Sequence, residues 1–272
     1  MLPPEEEIFV IGAGAMAEAF VKGLTSRKAI RAQRLMVVNR SQSDRLNNLC
    51  QTYGVQAASW EQVENARLVV VAVKPANVGE VLERIRPMLH GQPVLSFAAG
   101  VSIEWMSSVI GGASPVIRTM PNIPVAVLEG ATAVSFGPGT SWTDKELVRY
   151  LLGQLGEVVE IDESLMNSAT AFSGSGPGFV CYFLEAMEDA AVRLGFEPET
   201  ARELLLQTVV GTARTLREWG LSPHELRRRV TSPGGTTHAG VTVMEESHLR
   251  GIVDKALGAA ADRSAEMGDS YK

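Results

Sequence analysis

The residues best suited to hold a small anion lie in Thr231-Ser232-Pro233-Gly234-Gly235-Thr236-Thr237-His238-Ala239-Gly240. Two adjacent glycines and a run of hydroxyls precede an apolar segment at helical spacing, through Val241, Met244 and Leu249. A helix starting there presents unpaired backbone N–H groups and the positive end of its dipole. The side chains around them are too small to block approach. An ordinary capped helix start fits the same pattern, so this stretch alone does not decide the matter. His238 is the titratable group inside it. It stands alone, and a surface or interface histidine is the better reading than a catalytic acid. His90, His224 and His248 show no metal or triad spacing.

A second constellation lies near the start of the chain. Ile8-Phe9-Val10-Ile11 is a short apolar run, as expected of a buried parallel strand. It leads into Gly12-Ala13-Gly14-Ala15-Met16-Ala17, of the form G-x-G-x-x-A, followed by a helical pattern through Phe20, Val21 and Leu24. Gly12 permits the tight turn, Gly14 admits a pyrophosphate to the backbone, and Ala17 keeps helix close to strand. The strand-then-helix context raises a weak motif to a dinucleotide site. Cofactor identity is read at the end of the next strand, Leu35 to Val38. An NAD site usually carries a carboxylate there, whereas this chain has Asn39-Arg40-Ser41, which favours NADP.

These residues need a frame. Apolar runs at Leu68–Val73, Val94–Phe97, Val116–Met120, Ala131–Phe136 and Val158–Ile161 predict further strands, with helices between them, such as one over 144–155. The alternation predicts an α/β domain of Rossmann type, a doubly wound parallel sheet. Two strands end in loops placed to line a ligand crevice: Lys74-Pro75, and the small residues Ala98-Ala99-Gly100, which would let a nicotinamide ring approach. After about residue 163 the strand signals stop. Helical spacing covers 179–194, and Pro198 and Pro223 open two further helices. One more follows Thr237, and a last runs over about 252–265. The expected organisation is a nucleotide-binding domain over 1–163 and an all-α domain over 164–272.

Composition sets bounds on partners. The formal net charge of −6 disfavours non-specific binding to nucleic acid or anionic membranes. No run approaches the roughly 18 apolar residues of a membrane span. The acidic start, Met1 to Glu7, lacks an apolar signal core. Cys50 and Cys181 lie far apart in sequence and indicate neither a metal motif nor a disulfide framework. A cytoplasmic, metal-free protein is expected. In such a protein a nicotinamide cofactor carries the hydride, and the chain must orient the substrate and manage a proton. Many two-domain dehydrogenases of this layout use a helix lysine, yet none occurs between Lys145 and Lys255. A substrate needing little proton machinery, such as an imine protonated near neutral pH, fits better than a β-hydroxy acid.

The whole chain resembles the pyrroline-5-carboxylate reductase family. Beside the glycine loop, the resemblance rests on Ala72-Val73-Lys74-Pro75, Phe97-Ala98-Ala99-Gly100-Val101-Ser102 and Arg118-Thr119-Met120-Pro121-Asn122. It continues in Phe172-Ser173-Gly174-Ser175-Gly176-Pro177 and Thr231-Ser232-Pro233-Gly234-Gly235-Thr236-Thr237. It implies NADPH-dependent reduction of 1-pyrroline-5-carboxylate to L-proline, the last step of proline biosynthesis, with NAD(H) as the second cofactor to test. It places Ser232, Gly234, Gly235 and Thr236 around the substrate carboxylate and Thr237 at the ring nitrogen, as donor or orienting group. Cofactor contacts carry over to Ile11, Gly12, Ala13, Gly14, Ala15 and Met16; to Asn39, Arg40 and Ser41; to Ala72, Val73, Lys74 and Pro75; and to Phe97, Ala98 and Ala99. Ser59 stands where relatives often carry an asparagine on the cofactor ribose, and Gly178 where alanine is common. The family dimerises through its helical domain, and its dimers assemble further into decamers. Two alternatives stay open: a reductase of the six-membered piperideine analogue, since one methylene discriminates by only about 1–3 kcal/mol, and an NADP-binding protein without turnover.

Overall fold

The computed structural model describes residues 6–40 and 44–271; Ser41 and the acidic start up to residue 5 lie outside the described residues. The chain divides into two compact units, Met1–Pro177 with Ala259–Lys272, and Gly178–Gly258.

The first unit is built on an eight-stranded sheet. Its elements run β1 (Ile8–Ile11), α1 (Ala15–Ser26), β2 (Leu35–Val38), α2 (Asp44–Tyr53), β3 (Gln56–Ala57), β4 (Leu68–Val71) and α3 (Val78–Ile85). They continue with β5 (Val94–Ser96), α4 (Ile103–Val109), β6 (Val116–Pro121), β7 (Gly130–Phe136), α5 (Trp142–Leu152), β8 (Gly156–Glu160) and α6 (Met166–Ala169). The strand order is β3-β2-β1-β4-β5-β6-β7-β8. Every residue of β1, β2 and β4 is buried, because the sheet is covered on both faces. Successive side chains point to opposite faces. Ile8, Val10, Leu35, Val37, Leu68 and Val70 therefore pack with Phe20 and Leu24 of α1 and Leu151 of α5. Phe9, Ile11, Met36, Val38, Val69 and Val71 pack with Leu82 and Ile85 of α3 and Met106 of α4.

The sequence pattern led us to expect a parallel sheet, and all but one of the strand pairs are parallel. β7 runs antiparallel to β6, with Ile117 opposite Phe136 and Thr119 opposite Val134. The connection over 122–129 forms one 3₁₀ turn, Ile123–Val127, and is too short for the crossover that parallel strands require. Helix α5 then returns the chain, and β8 pairs parallel to β7. The short strand β3 also lacked a sequence signal; both its residues are exposed.

Helix α5 is anchored by a capping box between Ser141 and Asp144. Asp144 also lies 2.6 Å from Arg67 Nη2. Burial alone would raise its carboxyl, but the Ser141 hydroxyl and the Arg67 guanidinium prevail and hold it below the ordinary aspartate value. A carboxyl depressed in the folded state contributes its stability above the unfolded value, about pH 4, and loses it as pH falls through the folded one. Asp144→Asn is expected to cost about 1–2 kcal/mol at neutral pH. The gap from wild type should close in acid. Urea denaturation across a pH series measures it, and a pH-independent gap would refute the assignment.

The second unit is helical. It holds α7 from Gly178 onward (the helix spans Gly176–Arg193), α8 (Pro198–Trp219), α9 (Pro223–Arg229), α10 (Thr236–Glu246) and the first part of α11 (Leu249–Gly268). Pro198 and Pro223 occupy first-turn positions, as expected from their missing N–H. The last helix begins three residues earlier than its apolar spacing indicates and runs to Gly268. No residue of α7 is buried, and Tyr182, Val180, Leu204, Val243 and Ile252 are exposed apolar side chains of this unit. Among the described residues no helix is long and apolar enough to cross a membrane.

Candidate functional site

The glycine loop has the geometry its sequence calls for. Gly12 sits at φ +118°, and a Cβ on it would lie 2.5 Å from the Ala72 carbonyl oxygen. Its N–H donates to the Val38 carbonyl at 2.8 Å, and the Ala72 N–H donates to the Ile11 carbonyl at 2.9 Å. The turn is thus sewn between β2 and β4. Gly14 is the N-cap residue of α1, and a Cβ there would meet no atom within 4 Å. No side chain caps this helix start. Free N–H groups, the dipole end and open space beside Gly14 are what a pyrophosphate needs, so the residues present fit a dinucleotide. Ala13, Gly14 and Ala15 line a cleft of about 470 Å³ with Arg45 and Asn48 of α2. Met16 is half-buried against the core beneath α1.

Four of the other expected cofactor residues meet at the carboxyl ends of β1, β2 and β4. Ile11, Asn39, Arg40 and Val73 line one small pocket of about 80 Å³. Sequence reasoning missed its other walls: Trp60, Asn77, Glu80, Val81 and Arg84. The Arg84 guanidinium stacks 4.0 Å over the Trp60 ring. No local pattern marks these residues, because they converge from α3 and the turn before β4. Ser59 is exposed and is the N-cap residue of that turn, its N–H donating to Gln62 Oε1 at 2.8 Å. Lys74 is exposed and precedes a 3₁₀ turn that Pro75 opens.

Phe97 is buried edge-on to Phe20, with centroids 5.6 Å apart, and its N–H donates to the Val71 carbonyl at 3.0 Å. The Ala98 N–H donates to Ser96 Oγ, and the Thr119 hydroxyl donates to the Ser96 carbonyl at 2.8 Å. The Arg118–Asn122 motif thereby fixes the Phe97–Ala99 loop. A third motif joins them. Thr170–Gly174 forms a π-helical turn, a form common at functional sites. Gly174 in that turn approaches Met120 so closely that a Cβ would lie 2.6 Å from its Cε. The end of α11 packs on the next turn of the loop: a Cβ on Gly268 would lie 3.0 Å from the Gly100 carbonyl oxygen.

The stretch expected to hold an anion, residues 231–240, lies in the second unit. Gly234 adopts φ +72°, and the Gly235 N–H donates to the Ser232 carbonyl at 3.0 Å. Gly235 is the N-cap residue of α10, again without a side-chain cap, and Thr236 and Thr237 form its first turn. A side chain on Gly235 would collide with Ser232 Oγ, 2.5 Å from its Cβ position. The hydroxyls of Ser232, Thr236 and Thr237 are exposed, and among the described residues none is engaged. No group of His, Cys, Asp and Glu among the described residues is arranged to hold a metal ion.

Two family models match different parts of the chain. Residues 163–267 match the family model described as pyrroline-5-carboxylate reductase dimerisation, and residues 7–100 match that described as NADP oxidoreductase, coenzyme F420-dependent. The chain is 34% identical to pyrroline-5-carboxylate reductase 2 of Bacillus subtilis, over 98% of this chain and 96% of that one. It is 38% identical to the pyrroline-5-carboxylate reductase of Corynebacterium melassecola, over 96% and 98%. The solved pyrroline-5-carboxylate reductase of Coxiella burnetii superposes with a TM-score of 0.93 at 36% identity, covering 97% of this chain and 99% of that one. The enzyme of Plasmodium falciparum, solved with NADP bound, superposes with a TM-score of 0.85 at 29% identity, over 98% and 99%. Sequence likeness of this extent, on a frame whose motifs meet as described, means that the chain belongs to the pyrroline-5-carboxylate reductase family.

Proposed function

We infer that the chain catalyses the NADPH-dependent reduction of 1-pyrroline-5-carboxylate to L-proline. The observation that carries this reading is the pair of uncapped helix starts. Gly14 opens α1 beside a turn fit for a pyrophosphate, and Gly235 opens α10 beside three unengaged hydroxyls. When bound, NADPH supplies the hydride that is added to the C=N carbon. The chain itself binds, orients and manages one proton. The first-turn N–H groups of α10 and the hydroxyls of Ser232 and Thr236 hold the carboxylate, with Gly234 and Gly235 leaving room for it. The Thr237 hydroxyl hydrogen-bonds the ring nitrogen. Ile11 to Met16, Asn39 with Arg40 and Ser41, Ser59, Ala72 to Pro75 and Phe97 to Ala99 hold the cofactor. Arg40 takes the 2′-phosphate. Residues 1–163 serve as the cofactor domain and 164–272 as the substrate and dimerisation domain. The uncovered apolar side chains of the helical unit fit a homodimer, which in turn assembles into decamers. A cytoplasmic location fits two free cysteines, Cys50 and Cys181. No role for nucleic acid or membrane follows from a chain of net charge −6.

Loss of NADPH absorbance with synthetic 1-pyrroline-5-carboxylate tests the reaction, run beside NADH and the piperideine analogue. Turnover only with the analogue would keep the site and change the substrate; binding of NADPH without turnover would refute the enzyme. Thr237→Ala is expected to lower kcat/KM about tenfold or more. One hydrogen bond to a charged group near the reacting nitrogen is worth roughly 1.5–3 kcal/mol. NADP⁺ affinity should stay unchanged. Wild-type kinetics in this variant would remove Thr237 from the mechanism.

A further inference from the structure

The cation placed to read a ribose 2′-phosphate is already engaged. Arg40 Nη1 lies 3.6 Å from Glu80 Oε2, on the first turn of α3. Both side chains line the pocket at the ends of β1, β2 and β4, and both are largely exposed. The second guanidinium there, Arg84, is occupied over the Trp60 ring. β2 thus lacks the carboxylate typical of an NAD site, yet α3 delivers one into the same pocket. We propose that Glu80 is a specificity-determining residue for the cofactor. Its carboxylate competes with the 2′-phosphate for Arg40 and repels that phosphate, so the chain separates NADPH from NADH less sharply than Arg40 alone would.

This rests on the reading of the pocket as an NADP site. Two like charges near one guanidinium share its field, and the cost falls only on the phosphorylated nucleotide. NAD⁺ has a ribose hydroxyl at that position, which carries no charge for the carboxylate to repel. Glu80 also stands where a negative charge favours a helix start. That structural role would appear in stability, and equally for both nucleotides, not in their ratio.

Calorimetric titration of NADP⁺ and NAD⁺ into the full-length protein tests the proposal. At low salt, Glu80→Gln should tighten NADP⁺ by about threefold, the scale of an exposed charge pair, and Glu80→Lys by about tenfold, since its change in charge is twice as large. NAD⁺ should move by less than about twofold in both. The gain should shrink as salt rises and shrink again in an Arg40→Ala background. Wild-type binding of NADP⁺ with no gain in Glu80→Gln, or equal changes for the two nucleotides, overturns the role of Glu80 and leaves the site intact. A folded wild type that binds neither nucleotide overturns the site and the proposal together.

Discussion

Gly12→Ala should destabilise the protein by about 3 kcal/mol or more and weaken NADP⁺ at least tenfold. Two separate costs meet at this position. An alanine at φ +118° carries backbone strain of about 1–3 kcal/mol. Its Cβ would also stand 2.5 Å from the Ala72 carbonyl oxygen. That atom cannot yield cheaply, because the Ala72 N–H is bonded to Ile11 and the strand beneath it is buried on both faces. Overpacking against such a neighbour costs roughly 1–3 kcal/mol more. Gly14→Ala is the informative contrast. Its Cβ would meet nothing within 4 Å, so stability should fall by less than about 1 kcal/mol. NADP⁺ should still weaken, since the methyl fills the space that a pyrophosphate enters. Urea denaturation and nucleotide titration of both variants separate fold from binding. A Gly12→Ala protein with wild-type stability would overturn this account of the turn.

That contrast marks where sequence is informative. Gly12 and Gly14 announce themselves because each requirement is local: a turn, an approach, a helix start. The buried strands were legible for a related reason. A sheet covered on both faces leaves its central strands no polar alternation, and runs such as Ile8–Ile11 and Leu68–Val71 say so directly. The start of α10 was legible from Gly234-Gly235-Thr236-Thr237. The antiparallel turn of β7 was not, since strand direction is set by the length and path of a connection rather than by the strand's own residues. Glu80 was missed because its meaning depends on Arg40, forty residues away. The packing of Gly268 on Gly100 was missed because neither residue signals a partner at the far end of the chain.

Glu163 belongs to the same illegible class. Its Oε1 accepts the Ile103 N–H at 2.6 Å and an N–H of the Arg118 guanidinium, at 3.3 Å. Burial pulls the Arg118 guanidinium below its usual range, and Glu163 is the group that opposes this. One carboxylate thus holds the start of α4, just beyond the Phe97–Gly100 loop, against β6. Glu163→Ala is expected to cost about 2–4 kcal/mol, because it leaves a buried charge without its counter-ion and a helix N–H without its acceptor. Arg118→Met should cost less. The Arg118 side chain is 8% exposed, but that of Glu163 is 32% exposed and can turn to water. The double variant should cost less than the sum of the two, since removing both charges removes the unpaired one. Urea denaturation of the three proteins measures the asymmetry. Equal costs for the two single variants, summing in the double, would mean that Glu163 and Arg118 act independently.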